Sequence, residues 1–200
     1  GEKLREYVGD TEFELFQAHK AGKKILFEGA QGMSLDPDHG VYPHTTSTNN
    51  VAGYARVGSG LGVNEGVRII GIVKAYVSRV GVSPFPTELL DETGDKIREK
   101  GGEYGTTTGR PRRIGWLDLV QLRQAVRVSG ITELALTKAD VLSGFLDLKI
   151  ATHYEANGQI LKVNKPGKCA RRCPTKQCDE QTNSSENSQL RKQGFVALPS

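Results

Sequence analysis

Between about residues 10 and 150, short apolar runs of strand length alternate with segments of helical period, and this alternation restricts the chain to layered α/β arrangements. Asp10 stands where it can cap a helix over residues 11–21, with Phe13, Phe16 and Ala21 on one face and Gly22 as the stop. Lys24-Ile25-Leu26-Phe27 is predicted to be a short buried strand. The β-branched stretch 67–80 is predicted as a second strand region and Glu133-Leu134-Ala135-Leu136-Thr137 as a third. Residues 115–128 carry Leu119, Leu122 and Val126 at helical spacing and end at Gly130, and residues 49–57 also read as a helix. Strands separated by helices imply a mainly parallel sheet flanked by helices, where ligands gather at the carboxyl ends of strands. Past Asp140, residues 148–155 and 160–163 flank Asn157-Gly158, the signal of a tight hairpin and thus of a small antiparallel appendage.

The chain has 200 residues, with 27 Lys and Arg against 23 Asp and Glu, a net charge of +4. The excess is local: residues 162–200 hold eight of the basic and three of the acidic side chains, and 27 less 8 against 23 less 3 leaves 19 basic and 20 acidic elsewhere. The body therefore lacks the basic footprint of a nucleic-acid binder, and no nucleic-acid partner is expected. No apolar run approaches the ~20 residues of a membrane span. Gly1-Glu2-Lys3-Leu4-Arg5 lacks the apolar stretch of a signal peptide, so no membrane partner and a cytoplasmic location are expected. Apolar periodicity ends at Val163, and residues 181–188 are wholly polar, so 164–200 is expected to be a disordered, basic tail after a domain over 1–163. Its cysteines, Cys169, Cys173 and Cys178, have neither the Cys-x2-Cys pairing nor the nearby histidine of a zinc site, and no metal ligands are assigned.

Four loops carry the chemistry. Phe27-Glu28-Gly29-Ala30-Gln31-Gly32 leads through Asp36-Pro37-Asp38-His39-Gly40 to Thr45-Thr46-Ser47. Its glycines allow close approach, Gln31 offers a donor and an acceptor to a purine edge, and the hydroxyl cluster suits a phosphate. Gly58-Ser59-Gly60-Leu61-Gly62 lacks both the sixth-position glycine of a dinucleotide fingerprint and the Gly-Lys-Ser/Thr ending of a phosphate loop, follows a helical rather than a strand-like segment, and is expected to be a turn. Gly105-Thr106-Thr107-Thr108-Gly109-Arg110-Pro111-Arg112-Arg113 sets three hydroxyls beside three guanidiniums, a composition suited to carboxylates or phosphates. Thr137-Lys138-Ala139-Asp140 closes an apolar strand with the residues of a guanine-reading loop, in which Asp accepts from the ring N–H and the exocyclic amine.

In this order, and together with Lys74-Ala75-Tyr76, Arg79-Val80-Gly81, Gly81-Val82-Ser83-Pro84-Phe85-Pro86-Thr87-Glu88 and Gly115-Trp116-Leu117-Asp118, these segments resemble the adenylosuccinate synthetase family over about residues 20–155. The resemblance implies a P-loop-NTPase-like fold and a carbon–nitrogen ligase that joins IMP to L-aspartate with GTP and Mg²⁺. It implies IMP contacts for Gln31, Thr46, Val80 and Arg110, aspartate contacts for Thr106, Thr107, Thr108, Arg110 and Arg112, and GTP contacts for Arg112, Lys138 and Asp140. It also implies a homodimer whose partner lends an arginine to the IMP phosphate. The family's general base, general acid and magnesium ligands lie on motifs with no counterpart here, so no catalytic residue is assigned and this stretch alone is expected not to turn over. A partial sequence, shifted in frame after about residue 163, is the matching expectation. A noncatalytic GTP-binding module using residues 137–140 is the alternative.

Overall fold

The β-branched stretch 67–80 is cut in two at Ala75, and the two halves serve different sheets. In the computed structural model, which describes residues 1–62, 66–156, 159–161 and 193–197, β1 (Ile70–Lys74) lies parallel to β4 (Glu133–Thr137). Ala75 N donates to Thr137 O at 2.9 Å and completes that ladder. From there β2 (Tyr76–Arg79) turns away to pair antiparallel with β3 (Arg113–Asp118), Tyr76 opposite Trp116. Composition cannot signal such a break, because both halves are equally β-prone and only their partners differ.

β3 runs on beside β5 (Lys149–Ala156) in parallel, and β5 pairs antiparallel with β6 (Gln159–Leu161). The α/β class with a parallel pairing and an antiparallel appendage is therefore present, although the hairpin's Asn157-Gly158 lies outside the described residues. So do residues 162–192 and the three cysteines. Within the stretch expected to be disordered, β7 (Gln193–Ala197) pairs antiparallel with β5.

Asp10 caps α1 (Thr11–Lys20) by accepting from Phe13 N at 3.0 Å, and Gly22, at φ 71°, follows its end. Its apolar stripe is not a core face: Phe13 and Phe16 are 57% and 52% exposed. Three further expectations are corrected. Residues 24–27 form no strand and Leu26 stands out in solvent, because among the described residues no neighbouring strand takes up their main-chain groups. The second helix, α2 (Tyr54–Ser59), is confined to one end of the expected 49–57 and runs past it. The helix expected from Gly115 starts at Leu119 as α4 (Leu119–Ser129), since 113–118 is a strand and Asp118 supplies the helix cap.

The core lies where β2 and β3 meet α3 (Glu92–Gly101) and the short 3-10 turn Ala139–Leu142: Tyr76, Ile97, Ile114, Trp116, Val141 and Leu142 are buried together. This cluster fixes the ends of β1, β4 and α3 relative to one another, and those ends carry the loops of interest.

Candidate functional site

Residues 104–111 form a short ribbon closed at its base by Glu103 and Arg112. Arg112 N donates to Glu103 O (2.9 Å), Gly105 N to Arg110 O (2.9 Å) and Gly109 N to Gly105 O (2.8 Å), with a bridge between Tyr104 and Pro111. Gly109 takes φ 63°, a left-handed turn position that glycine accepts without strain. The tip presents Thr106, Thr107, Thr108 and Arg110 to solvent. Three hydroxyls and a guanidinium on one exposed turn offer an anionic ligand several donors at once.

The base of the ribbon is built around Glu103, which is 1% exposed. Its Oε1 accepts from Lys74 Nζ and Tyr76 OH, each at 2.7 Å, and its Oε2 from Arg112 Nη1 at 2.8 Å. Burial by itself would raise its pKa, but these three donors outweigh it and bring the carboxyl down to about 2. Burial and the adjacent carboxylate push the Tyr76 hydroxyl far above the ordinary phenol range, so it stays a donor. Lys74 also donates to Ser78 Oγ at 2.8 Å, and Arg98 Nε to Arg112 O at 2.8 Å.

Lys138 reaches the same corner from the other side. Its Nζ donates to Gly101 O (2.7 Å), a terminal carbonyl of α3 that the helix itself leaves free. A Cβ on Gly101 would lie 2.4 Å from Tyr76 OH, so only glycine lets the helix end come this close. Asp140 follows on the 3-10 turn, exposed. Lys138 is thus held at Gly101 and Arg112 at Glu103, the strand before Lys138 is fastened to Ala75, and the Asp140 charge is felt by the Tyr76 hydroxyl. Val80 follows Arg79, which is in register with Arg113, the neighbour of Arg112.

Gln31 and Thr46 sit on the other long loop, ordered around the fully buried Asp36. That carboxylate accepts from the main-chain N of Asp38 (2.9 Å), His39 (3.0 Å) and Asn50 (2.6 Å) and from Asn49 Nδ2 (3.4 Å). Burial pushes its pKa up, and these donors more than reverse the effect, leaving it below the ordinary value. Thr46 N donates to Leu35 O, and Gln124 of α4 joins the loop to the body by donating to His39 O at 3.1 Å. Among the described residues, the left-handed backbone positions outside glycine are Gln31 (φ 57°) and Lys138 (φ 60°), both candidates from the sequence. Such strained positions persist where surrounding structure holds them, which is frequent at binding sites.

Beside Val80, Arg79 is buried and donates to Gln121 Oε1 (2.7 Å) and Ser83 Oγ (3.3 Å), with its guanidinium 5.5 Å from the Phe85 ring. Burial lowers its pKa, and Asp118 and Tyr154 partly compensate. Asp118 caps α4 and accepts from Tyr154 OH. Arg113 makes a two-pronged pair with Glu88, Nε to Oε1 at 2.6 Å and Nη2 to Oε2 at 2.5 Å.

The sequence pattern placed Asp36 within a loop of interest but gave no reason to make either it or Glu103 an organising centre, for an acid beside glycine or proline reads as a turn. The available signal for Glu103 was its position between Gly101-Gly102 and the Thr/Arg loop. No three of His, Cys, Asp and Glu converge on a possible metal site among the described residues, and no described helix is long and apolar enough to cross a membrane.

The family model described as adenylosuccinate synthetase matches residues 1–192. The adenylosuccinate synthetase of Caldanaerobacter subterraneus subsp. tengcongensis is 60% identical over 161 residues, 80% of this chain and 38% of the relative. That of Enterococcus faecalis is 55% identical over 161 residues, 80% of this chain and 37% of the relative. Among solved structures, fully ligated adenylosuccinate synthetase from Plasmodium falciparum superimposes with a TM-score of 0.77 at 40% identity, over 80% of this chain and 38% of that one. The cyanophage S-2L succinoaminodeoxyadenylate synthetase, bound to dGMP with dATP as energy donor, gives 0.52 at 28% identity, over 64% and 39%. The chain spans a little over a third of the length of the curated relatives it matches.

Proposed function

The chain belongs to the adenylosuccinate synthetase family, and from that premise we propose that it is the ligand-recognising part of a carbon–nitrogen ligase that joins IMP to L-aspartate with GTP, giving adenylosuccinate, GDP and phosphate. In this chemistry the γ-phosphoryl group moves to O6 of IMP, which turns a poor leaving group into a good one, and the aspartate amine then displaces phosphate at C6. The observation that supports the reading best is the convergence of two loops on one junction: Lys138 on Gly101 and Arg112 on Glu103, both fastened at Lys74-Ala75-Tyr76.

Asp140 would accept from the guanine ring N–H and exocyclic amine, while the Lys138 stem lies along the base; adenine offers no ring N–H there. Thr106, Thr107, Thr108, Arg110 and Arg112 would hold the aspartate carboxylates, with Arg110 also at IMP and Arg112 also near GTP. Gln31 would read the hypoxanthine edge, Thr46 the 5′-phosphate, and Val80 would lie against the ribose. Mg²⁺, which spreads phosphoryl charge when bound, finds no ligand cluster among the described side chains, so they do not fit a site of their own for it. Homodimerisation and a domain bounded at about residue 163 belong to the same proposal.

Titration of the purified chain with GDP and with ADP, in the presence of IMP and L-aspartate, tests it. GDP should bind in preference, and Asp140→Ala should weaken GDP by about tenfold or more, the worth of one charge-assisted hydrogen-bond pair. Equal affinity for GDP and ADP would overturn the guanine assignment. GDP binding indifferent to IMP, to L-aspartate and to Arg110→Ala would replace the ligase reading with a noncatalytic GTP-binding module.

A further inference from the structure

We propose that Glu103 is the positioning residue of the acid-binding loop: it sets the direction of the Arg112 guanidinium and ties it to the strand ends that carry the guanine-reading corner. The proposal rests on the reading of residues 104–112 as a carboxylate-binding loop.

The geometry supports this at both ends of the carboxylate. On the loop side, Glu103 and Arg112 are joined twice, by Arg112 N to Glu103 O (2.9 Å) and by Nη1 to Oε2 (2.8 Å), while Arg98 holds the Arg112 carbonyl. With both its main-chain groups engaged and one Nη taken, Arg112 keeps little freedom beyond the face it presents outward. On the core side, Oε1 is shared by Lys74 Nζ and Tyr76 OH, and Tyr76 is 1% exposed in the central cluster. The carboxylate therefore couples a partly exposed guanidinium to the buried central cluster. Tyr76 OH also lies beside the end of α3, where a Cβ on Gly101 would be 2.4 Å from it, and the Gly101 carbonyl holds Lys138, so both loops are held beside Tyr76.

Charge distinguishes positioning from its simplest rival. Lys74 and Arg112 bring two positive charges to one carboxylate, which leaves one uncompensated at the loop base and attracts an anionic ligand. If Glu103 acted only through the field, it would be a competing anion, and neutralising it would tighten the binding of an acid. If it acts by holding Arg112, neutralising it must weaken that binding although the local charge rises by one.

The test uses isotope-labelled chain with E103Q and E103D. Without ligand, the Arg112 Nη protons should give separate signals, because the ion pair slows rotation about Cζ–Nη. E103Q should merge them, and E103D, which keeps the charge but shortens the reach, should fall between. With L-aspartate as the probe, E103Q should raise the dissociation constant at least tenfold and E103D less. An unchanged Arg112 signature in both variants, or tighter L-aspartate binding by E103Q, would overturn the proposal. Should E103Q not fold, E103D against the unaltered chain gives the same comparison. If the unaltered chain does not saturate with L-aspartate, the acid-binding reading fails, and the ligand-free Arg112 signature still decides whether Glu103 positions Arg112.

Discussion

Glu103 ties the stability of the fold to a single ionisation. Its carboxyl titrates at about 2 when folded against 4.5 for a free glutamate, so the ionised form favours the native state. The contribution is complete above about pH 4.5 and is lost as pH falls through 2, at most about 3 kcal/mol for a shift of that size. The thermal midpoint of the unaltered chain should thus fall more steeply than that of E103Q between about pH 5 and 2, and parallel curves would mean that the three donors do not hold the carboxylate in solution. At this scale the sequence marked residues whose chemistry is worn openly: Thr106 to Thr108, Arg110, Lys138 and Asp140 stand in recognisable strings. It could not mark Glu103 or Asp36 as organising centres, since an acid becomes one only when burial removes water and leaves protein donors as its partners.

Element boundaries followed the capping chemistry wherever a cap existed. Asp10 and Gly22 bracket α1 as expected, and β4 occupies Glu133–Thr137. Two caps of unequal burial make a quantitative comparison possible. Asp91, at the surface, accepts from Thr93 N and Gly94 N at the start of α3, and Asp91→Ala should cost about 1 kcal/mol. Asp118 caps α4 but is also buried, accepting from Tyr154 OH and Gln121 Nε2, and its charge acts on the buried Arg79, so Asp118→Ala should cost about 3 kcal/mol or more, because it leaves two buried donors without their acceptor and removes the charge that offsets Arg79. Denaturant midpoints measure both, and equal losses would show that Asp118 acts as a cap alone. Where pairing rather than capping decides an element, local signals misled: stretch 67–80 became two strands and 24–27 none, because a strand exists only where a neighbour accepts its ladder.

Across the whole molecule, the parallel pair β1–β4 stands out for the aliphatic surface it leaves uncovered. Ile70 and Ile72 on one face are 48% and 73% exposed, and Leu134 and Leu136 on the other are 48% and 59% exposed. Parallel strands ordinarily carry cover on both faces, and exposed aliphatic surface drives association. The purified chain should therefore bind a hydrophobic dye and self-associate at micromolar concentration, and Ile72→Glu with Leu136→Glu should reduce both severalfold while leaving the far-ultraviolet spectrum intact. Dye binding unchanged by the pair would mean that these faces are covered in solution.

The amino-acid string alone determined the layered α/β class, the family, and the loops that hold the recognisable chemistry, because these depend on local period, turn residues and short ordered motifs. Only the tertiary structure decided that a β-branched run would divide between two sheets, that Thr137 and Lys138 would be fastened at Ala75 and Gly101, and that Glu103 would be buried with Lys74, Tyr76 and Arg112 as its donors. Each of those outcomes depends on which distant groups exclude water together, a property that no window of neighbouring residues contains.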